Sequence, residues 1–421
     1  MLKKFLMAAA EATFITFGIG QAVHAASFTV LASGLDSPRG LTFGPDGALY
    51  VIEAGTGGPG ACVPAPSLPD ENICYGPTGA VTRIQNGISK RVVTGLPSLA
   101  LPNGSDVAGV NDIAFDSTGK AYVVVGLSAT AADRDNKLGI PDFGNLIAID
   151  NFKPGASWTR LADLAAYEGL NNPDGRGVFS NIHSLLIQGD TAFVVDAAGN
   201  DLLSVGLNGS GIALQSVFDA RLVTDPLSGQ DILMESVPTS MAIGPDGAYY
   251  VGELTGDPYP KDAARIYRIN SDNQPDIYAD GFTNIIDLAF DPDGSLYVLE
   301  YAANSLSSED PTGALIRVAP DGTRTTIASE QLISPTALTV DSDGAIYVSN
   351  KGFYAGEGEV IRIEEPAPVP EPSSALGIFT FAAFGAGSLL LRKKARVSRS
   401  SGIAAAFLQR PYSWCCSFTR C

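Results

Sequence analysis

Histidine is almost missing from this chain. Of 421 residues only His24 and His183 carry an imidazole. That excludes the His-rich cages of catalytic zinc and leaves little for proton transfer near neutral pH. Cysteine is nearly as scarce: Cys62 and Cys74 are the only two before Cys415, Cys416 and Cys421. No CxxC pair, HExxH helix, GxSxG elbow or GxxxxGK[ST] loop occurs, and no Ser-His-Asp arrangement stands out. Basic residues are also few, 27 Lys and Arg against 45 Asp and Glu, for a formal charge of −18. The ends hide the imbalance, because residues 26–370 hold 43 acidic and 18 basic side chains. So acidic a body excludes a nucleic-acid backbone as partner and is compatible with cations, neutral small molecules or sugars.

What is present is apolar and turn-rich. Hydrophobic residues make up 45% and charged residues 17%, with 46 Gly and 27 Pro. This is too apolar for disorder and reads as all-β with many tight turns. Lys3 and Lys4 precede an apolar stretch ending at Val23-His24-Ala25. That order predicts a signal peptide over residues 1–25, with an uncleaved anchor as the alternative and Glu11 as an interruption. Export permits a disulfide, and Cys62 and Cys74 flank a Pro-rich loop in which pairing is expected. A metal pair there suits the sequence less, since no histidine lies nearby.

One pattern occurs six times: an apolar strand, a tight turn, a second strand bearing an aromatic, then often an acidic residue. The aromatics are Tyr50, Tyr122, Phe193, Tyr250, Tyr297 and Tyr347, spaced by 72, 71, 57, 47 and 50 residues. The last spacings approach a propeller-blade period, and the early copies carry insertions. Turns read GPDG at 44–47 and 244–247, DPDG at 291–294, DSDG at 341–344 and DSTG at 116–119. This is hairpin turn chemistry; a calcium loop of the Asp-x-Asp-Gly kind lacks its downstream ligands. Third strands follow at 81–84, 146–149, 266–269, 315–318 and 360–363, and fourth strands at 91–94 and 276–279. The sixth copy lacks a fourth strand, whereas residues 28–35 resemble the fourth strand of the first copy. The expectation is therefore an all-β, six-bladed β-propeller over residues 27–364, closed by the N-terminal strand lying beside 360–363.

Counting outward from the first turn, Leu41 should oppose Tyr50 and Pro38 should oppose Glu53. The long segments 55–79, 126–144, 167–181, 223–237 and 302–313 then leave from one mouth, which marks it as the binding face. First strands begin there with Arg39, Asn111-Asp112, His183, Thr239, Asp287 and Thr336. Three residues past each aromatic stand Glu53, Val125, Asp196, Glu253, Glu300 and Asn350. Two readings stand for this patterned ring. Its members cap strand ends by accepting backbone hydrogen bonds. Or Asn111 and Asp112 with some of Glu53, Glu253 and Glu300 hold a hard cation such as Ca2+, which the oxygen donors suit better than zinc. His183 is a single candidate general base and more often a structural residue. No catalytic residue is assigned.

Beyond Glu364 the composition changes. Residues 365–374 form a Pro-rich linker containing Pro370-Glu371-Pro372, and residues 375–391 are free of charge. Arg392-Lys393-Lys394 follow. This order predicts a transmembrane helix with its basic stop over 375–396. Residues 397–421, with the three late cysteines, match no element.

The Pro-Glu-Pro, apolar run and basic cluster resemble the PEP-CTERM sorting signal of bacteria. The resemblance implies handling by an exosortase-type machinery, membrane attachment before processing, and release to the cell envelope or extracellular matrix. The chain departs from that signal by running on past the basic cluster. The blade motifs, such as SPRGLTFGPDGALYV at 37–51, and the LASGL at 31–35 resemble the ScyD/ScyE family of exported propellers. More loosely they are similar to NHL and gluconolactonase-type blades. The family implies a secreted propeller linked to an extracellular sunscreen pigment of cyanobacteria, and it supplies no catalytic residues. Val110-Asn111-Asp112-Ile113 is similar to the strand start that donates an asparagine ligand in calcium-dependent lactonase propellers. The expected function is binding of a small molecule or matrix component at the loop-rich mouth, accessory to pigment or matrix formation. The alternative is a Ca2+-dependent lactonase-like or pigment-maturation enzyme.

Overall fold

The computed structural model describes residues 26–365 except 66, 67, 69, 154 and 309. The segments read as signal peptide, sorting motif, membrane helix and Cys-bearing tail therefore lie outside the described residues. Among the described residues no helix is long and apolar enough to cross a membrane.

Each repeat folds as its turn chemistry dictates. In the first, Gly44 and Ala48 close the hairpin with a 2.8 Å backbone bond, and Gly47 takes φ +69°, open to glycine without strain. The turn aspartate is then pinned from two sides: Tyr50 donates to Asp46 at 3.2 Å and Arg83 Nε donates at 2.8 Å. Tyr250 and Arg268 repeat this on Asp246, and Tyr122 and Tyr347 donate to Asp116 and Asp341. The recurring aromatic and the recurring turn aspartate are thus one device. It ties the second strand back to its own turn, and the aspartates act as acceptors rather than as a calcium loop.

The expectation of a six-bladed propeller is corrected by the sheets. Four blades stand as separate four-stranded antiparallel sheets. Three contain strands in chain order, beginning at Ile182–Gln188, Pro238–Ile243 and Ile285–Phe290. In the fourth, Ser27–Asp36 lies outside Ala355–Glu364, which pairs with Ile346–Asn350 and then Ala337–Val340. The first two repeats instead share one nine-stranded sheet. The cause is the first insertion. Its chain re-enters the sheet and lengthens the third and fourth strands to Asn72–Gln85 and Ile88–Ala100. The latter then pairs with Ala108–Phe115 through Ser98–Gly109 and Leu99–Ala108, fusing the two repeats. Cys62–Pro64 adds to the edge of this extension, where Cys62 and Cys74 are disulfide-bonded.

The N-terminal strand sits where its sequence places it. Thr29, Val30 and Ala32 oppose Arg362, Ile361 and Val360. The first strands of the repeats touch in a closed cycle, from Pro38–Phe43 through Ala108–Phe115, Ile182–Gln188, Pro238–Ile243, Ile285–Phe290 and Ala337–Val340 back to Pro38–Phe43. They line a central channel, and apolar side chains such as Phe143, Phe218, Phe282 and Tyr297 fill the space between sheets.

One register expectation fails informatively. Pro38 does oppose Glu53, but Leu41 opposes Val51 rather than Tyr50. A bulge separates Pro38 from Leu41, and matching bulges fall between Val110 and Asp112, Ile182 and Ser184, Pro238 and Ser240, and Ile285 and Asp287. A bulge adds a residue without a partner and re-aims its side chain. The residues so released include Arg39, Asn111, His183 and Thr239, four of those that begin the first strands.

Candidate functional site

The sequence-predicted residues separate into two structures. The first is a set of strand-end caps. Glu53 accepts the Asp36 amide at 2.8 Å, Glu300 the Thr283 amide at 2.7 Å and Asn350 Oδ1 the Ile333 amide at 2.8 Å. Glu253 accepts the Ser236 hydroxyl at 2.7 Å. In all four the donor lies 17 residues upstream. Asp196 does the same over 15 residues, taking the Asn181 amide at 2.7 Å, with the Ser180 hydroxyl on its other oxygen. Each side chain thus clamps the end of a second strand to the link that enters its first strand.

Burial makes these carboxylates expensive unless something neutralises them. Glu53 is closed by Arg91, which also reaches Asp36. Glu253 is closed by Arg221, with Tyr267 donating at 3.1 Å. Desolvation still raises Glu253, the Arg221 bond opposing it. Glu300 has no such arginine contact, and burial pushes it up to about 7 despite the Thr283 amide.

The second structure is a belt around the channel, in which every junction between neighbouring first strands is spanned by a side chain. Arg39 Nη2 donates to the Val107 carbonyl at 3.2 Å and Asn111 Nδ2 to Ile182 at 2.7 Å. Asp112 accepts the Leu185 amide at 2.8 Å. His183 Nδ1 lies 2.6 Å from the Thr239 carbonyl. Thr239 donates to Ile285, Asp287 accepts from Leu338, and Thr336 donates to Pro38, each at 2.7 Å. The bulges aim these groups across the junctions, and no residue with a larger apolar side chain could make the same bonds. Gly40 permits the closest approach: a Cβ there would stand 2.1 Å from the Asp112 carboxylate.

The belt also sets protonation. A carbonyl oxygen can only accept, so His183 Nδ1 carries the proton. Burial, with Arg39 adding repulsion, pulls the imidazole down to about 4 and keeps it neutral. Asp112 and Asp287 keep part of their surface open to the channel. Even so, desolvation lifts Asp112 to about 7 and Asp287, which also feels Asp112, to about 8.

Asn111, Asp112, His183 and Asp287 are therefore brought together with Thr239 and Thr336 around a cavity of about 20 Å³. That is room for a water or two, far below a metabolite-sized pocket. Glu53, Glu253 and Glu300 do not join Asn111 and Asp112 at one point; they stand in three repeats with their own partners. Among the described residues no group of three or more His, Cys, Asp or Glu is placed to hold a metal ion. A second, open concavity of about 390 Å³ lies at the opposite end, lined by the turns at Gly244, Pro245, Asp291, Pro292, Asp341 and Ser342. The partners Arg91 and Arg221 were not singled out from sequence. Nor were Glu168 and Asp201, buried beside Asp196; only Asp196 stood in the repeat pattern.

No family model matches the chain, and no curated protein matches it. Solved structures do. A protein of unknown function from Bacteroides thetaiotaomicron is 12% identical, with a TM-score of 0.48, covering 80% of this chain and 72% of that one. A gluconolactonase from Xanthomonas campestris is 10% identical, with a TM-score of 0.47, covering 81% and 90%. A glucose dehydrogenase-type putative oxidoreductase from Thermus thermophilus is 14% identical, with a TM-score of 0.46, covering 81% and 100%. At these identities and TM-scores the likeness carries no argument about what this chain does.

Proposed function

We propose that this protein is an exported, non-catalytic β-propeller that binds a ligand or partner through the face bearing its long loops. The observation that carries this reading is the belt. Its polar side chains are already engaged with backbone groups of the neighbouring strand, around a space that admits only water. Recognition then falls to the insertions on the same face. These carry a disulfide-bonded extension, the helix Leu164–Asn171 and the hairpin Arg221–Thr224 with Asp231–Met234. Residues 1–25 and the Pro370-Glu371-Pro372 motif supply the rest of the proposal by sequence pattern. They indicate export, exosortase-type sorting, transient membrane attachment through 375–396, and residence in the envelope or extracellular matrix. The Cys62–Cys74 bond agrees with an oxidising compartment. Kinship with the ScyD/ScyE propellers would make the ligand a pigment or matrix component.

A second reading, a lactonase-like or pigment-maturation enzyme, is favoured by one feature: the raised, channel-facing pair Asp112 and Asp287. Incubating purified protein with lactones and phenolic esters separates the two. The binding reading expects no turnover above buffer. Turnover that disappears in Asp112→Asn or Asn111→Ala would replace it with the enzymatic one.

A further inference from the structure

The third repeat holds the carboxylates whose buried oxygens have no hydrogen-bond partner among the described residues. Asp196 ends the strand Thr191–Asp196, and Asp201 opens the next strand directly opposite it. Glu168 reaches them from the helix Leu164–Asn171, whose first turn is capped by Asp163. Glu168 and Asp196 are 1% exposed and Asp201 is 0% exposed. Asp196 is fully engaged, accepting three amides and the Ser180 hydroxyl. Glu168 and Asp201 are not: all four of their carboxylate oxygens are buried without a hydrogen-bond partner among the described residues. Gly199 passes between Glu168 and Asp196, and a Cβ there would stand 3.2 Å from both. Asp174, half-buried at the rim and held by Asn200 at 3.0 Å, adds a fourth carboxylate. None of the four makes an ion pair with a basic side chain of the described residues.

Such a cluster needs positive charge that the described residues do not supply, from protons or from a bound cation. We propose that it binds one hard divalent cation of the Ca2+ type, with the unpartnered carboxylates of Glu168 and Asp201 as its protein ligands and Asp174 marking the way in. Oxygen donors alone, with no sulfur or imidazole near, suit that class. No three acidic side chains here stand ready as a cage. The cation therefore takes water for the rest of the six to eight oxygens that Ca2+ accepts. Burial first, then Asp196 and its neighbours, raises both Glu168 and Asp201; in the absence of the cation, protons hold the place. This site is separate from the axial belt and lies under the helix Leu164–Asn171 of the proposed ligand face; its test reads the cation alone and needs no ligand on that face.

The experiment uses the full-length purified protein, stripped with chelator at pH 8 and melted with and without CaCl2. The expected result is a rise in Tm of about 5 °C, absent from Glu168→Gln and from Asp201→Asn. Terbium in place of calcium supplies a second readout, because Tyr167 adjoins Glu168 and can sensitise its emission. Tyr167→Phe should lose the emission and keep the calcium-dependent Tm rise. No calcium effect on the wild type, with both carboxylate variants more stable above pH 8, would show a proton store and overturn the proposal. A calcium effect that survives both carboxylate variants, or emission that survives Tyr167→Phe, would put the ion elsewhere and overturn it equally.

Discussion

Glu253 and Asp196 occupy the same station in two repeats, yet their charge is balanced in opposite ways. Glu253 is fully buried and meets Arg221, Ser236 and Tyr267. Asp196 is as deeply buried, meets only amides and a hydroxyl, and has Glu168 and Asp201 beside it with no arginine. The geometric task, clamping a strand end to the incoming link, is identical. What differs is whether the described residues supply the counter-charge. The first arrangement is complete in itself. The second depends on what the solution provides, protons or a cation, and so is the place where stability should respond to conditions.

The comparison breaks most sharply if repeat four is made to resemble repeat three. Arg221→Met leaves Glu253 buried and unpaired, and should cost about 3–5 kcal/mol in urea unfolding, since removing one member of a buried pair strands the other. A cost near zero would mean that Glu253 is neutral in the folded protein and the two repeats are alike.

The reverse change sharpens it. Glu168 titrates at about 8 in the folded protein against an ordinary carboxylate value near 4.5. Between those values the folded state binds more protons than the unfolded one, so stability is present below pH 4.5 and is lost as pH rises to 8. In chelator, the wild type should lose roughly 3 kcal/mol between pH 5 and pH 9, and Glu168→Gln should flatten most of that slope. Unchanged slopes in the variant would remove the charge problem from this repeat.

His183 gives a slope of the opposite sign. Its folded value, about 4, lies below the free value of 6.5. Its contribution is therefore complete above pH 6.5 and disappears as pH falls to 4. His183→Gln should remove an acid sensitivity of about 2–3 kcal/mol over that range, read from urea midpoints. The smallest effect belongs to the neutral cap. Asn350→Ala forfeits bonds to Ile333, Gln331 and the Glu359 carboxylate, and should cost about 1–2 kcal/mol in urea unfolding.

Much of this architecture was legible in the chain. Turn chemistry at 44–47 and 244–247, the recurring aromatics and the strand-like 28–35 were enough to place the hairpins and to set the N-terminal strand beside 360–363. What escaped has physical reasons. A bulge adds one residue without changing composition, so alternation across 38–41 predicts the wrong partner for Leu41. An insertion that returns as strand looks like loop until its partner is known, which concealed the nine-stranded sheet built on Asn72–Gln85 and Ile88–Ala100. The carboxylate ring was visible as a repeat, but its counter-charges were not. Arg91 and Arg221 lie 38 and 32 residues from the glutamates they neutralise. Glu168 sits in an insertion helix outside the repeat altogether.

That the channel side chains hold the ring rather than act on a substrate can be read from one imidazole. Among the described residues His183 is the sole histidine, so its ring signals in a 15N–1H NMR titration are free of overlap from that region. A neutral ring protonated on Nδ1 throughout pH 5–8, titrating only near 4, is the expected result. A midpoint between pH 6 and 7 with the proton on Nε2 would describe a working base and contradict the structural belt.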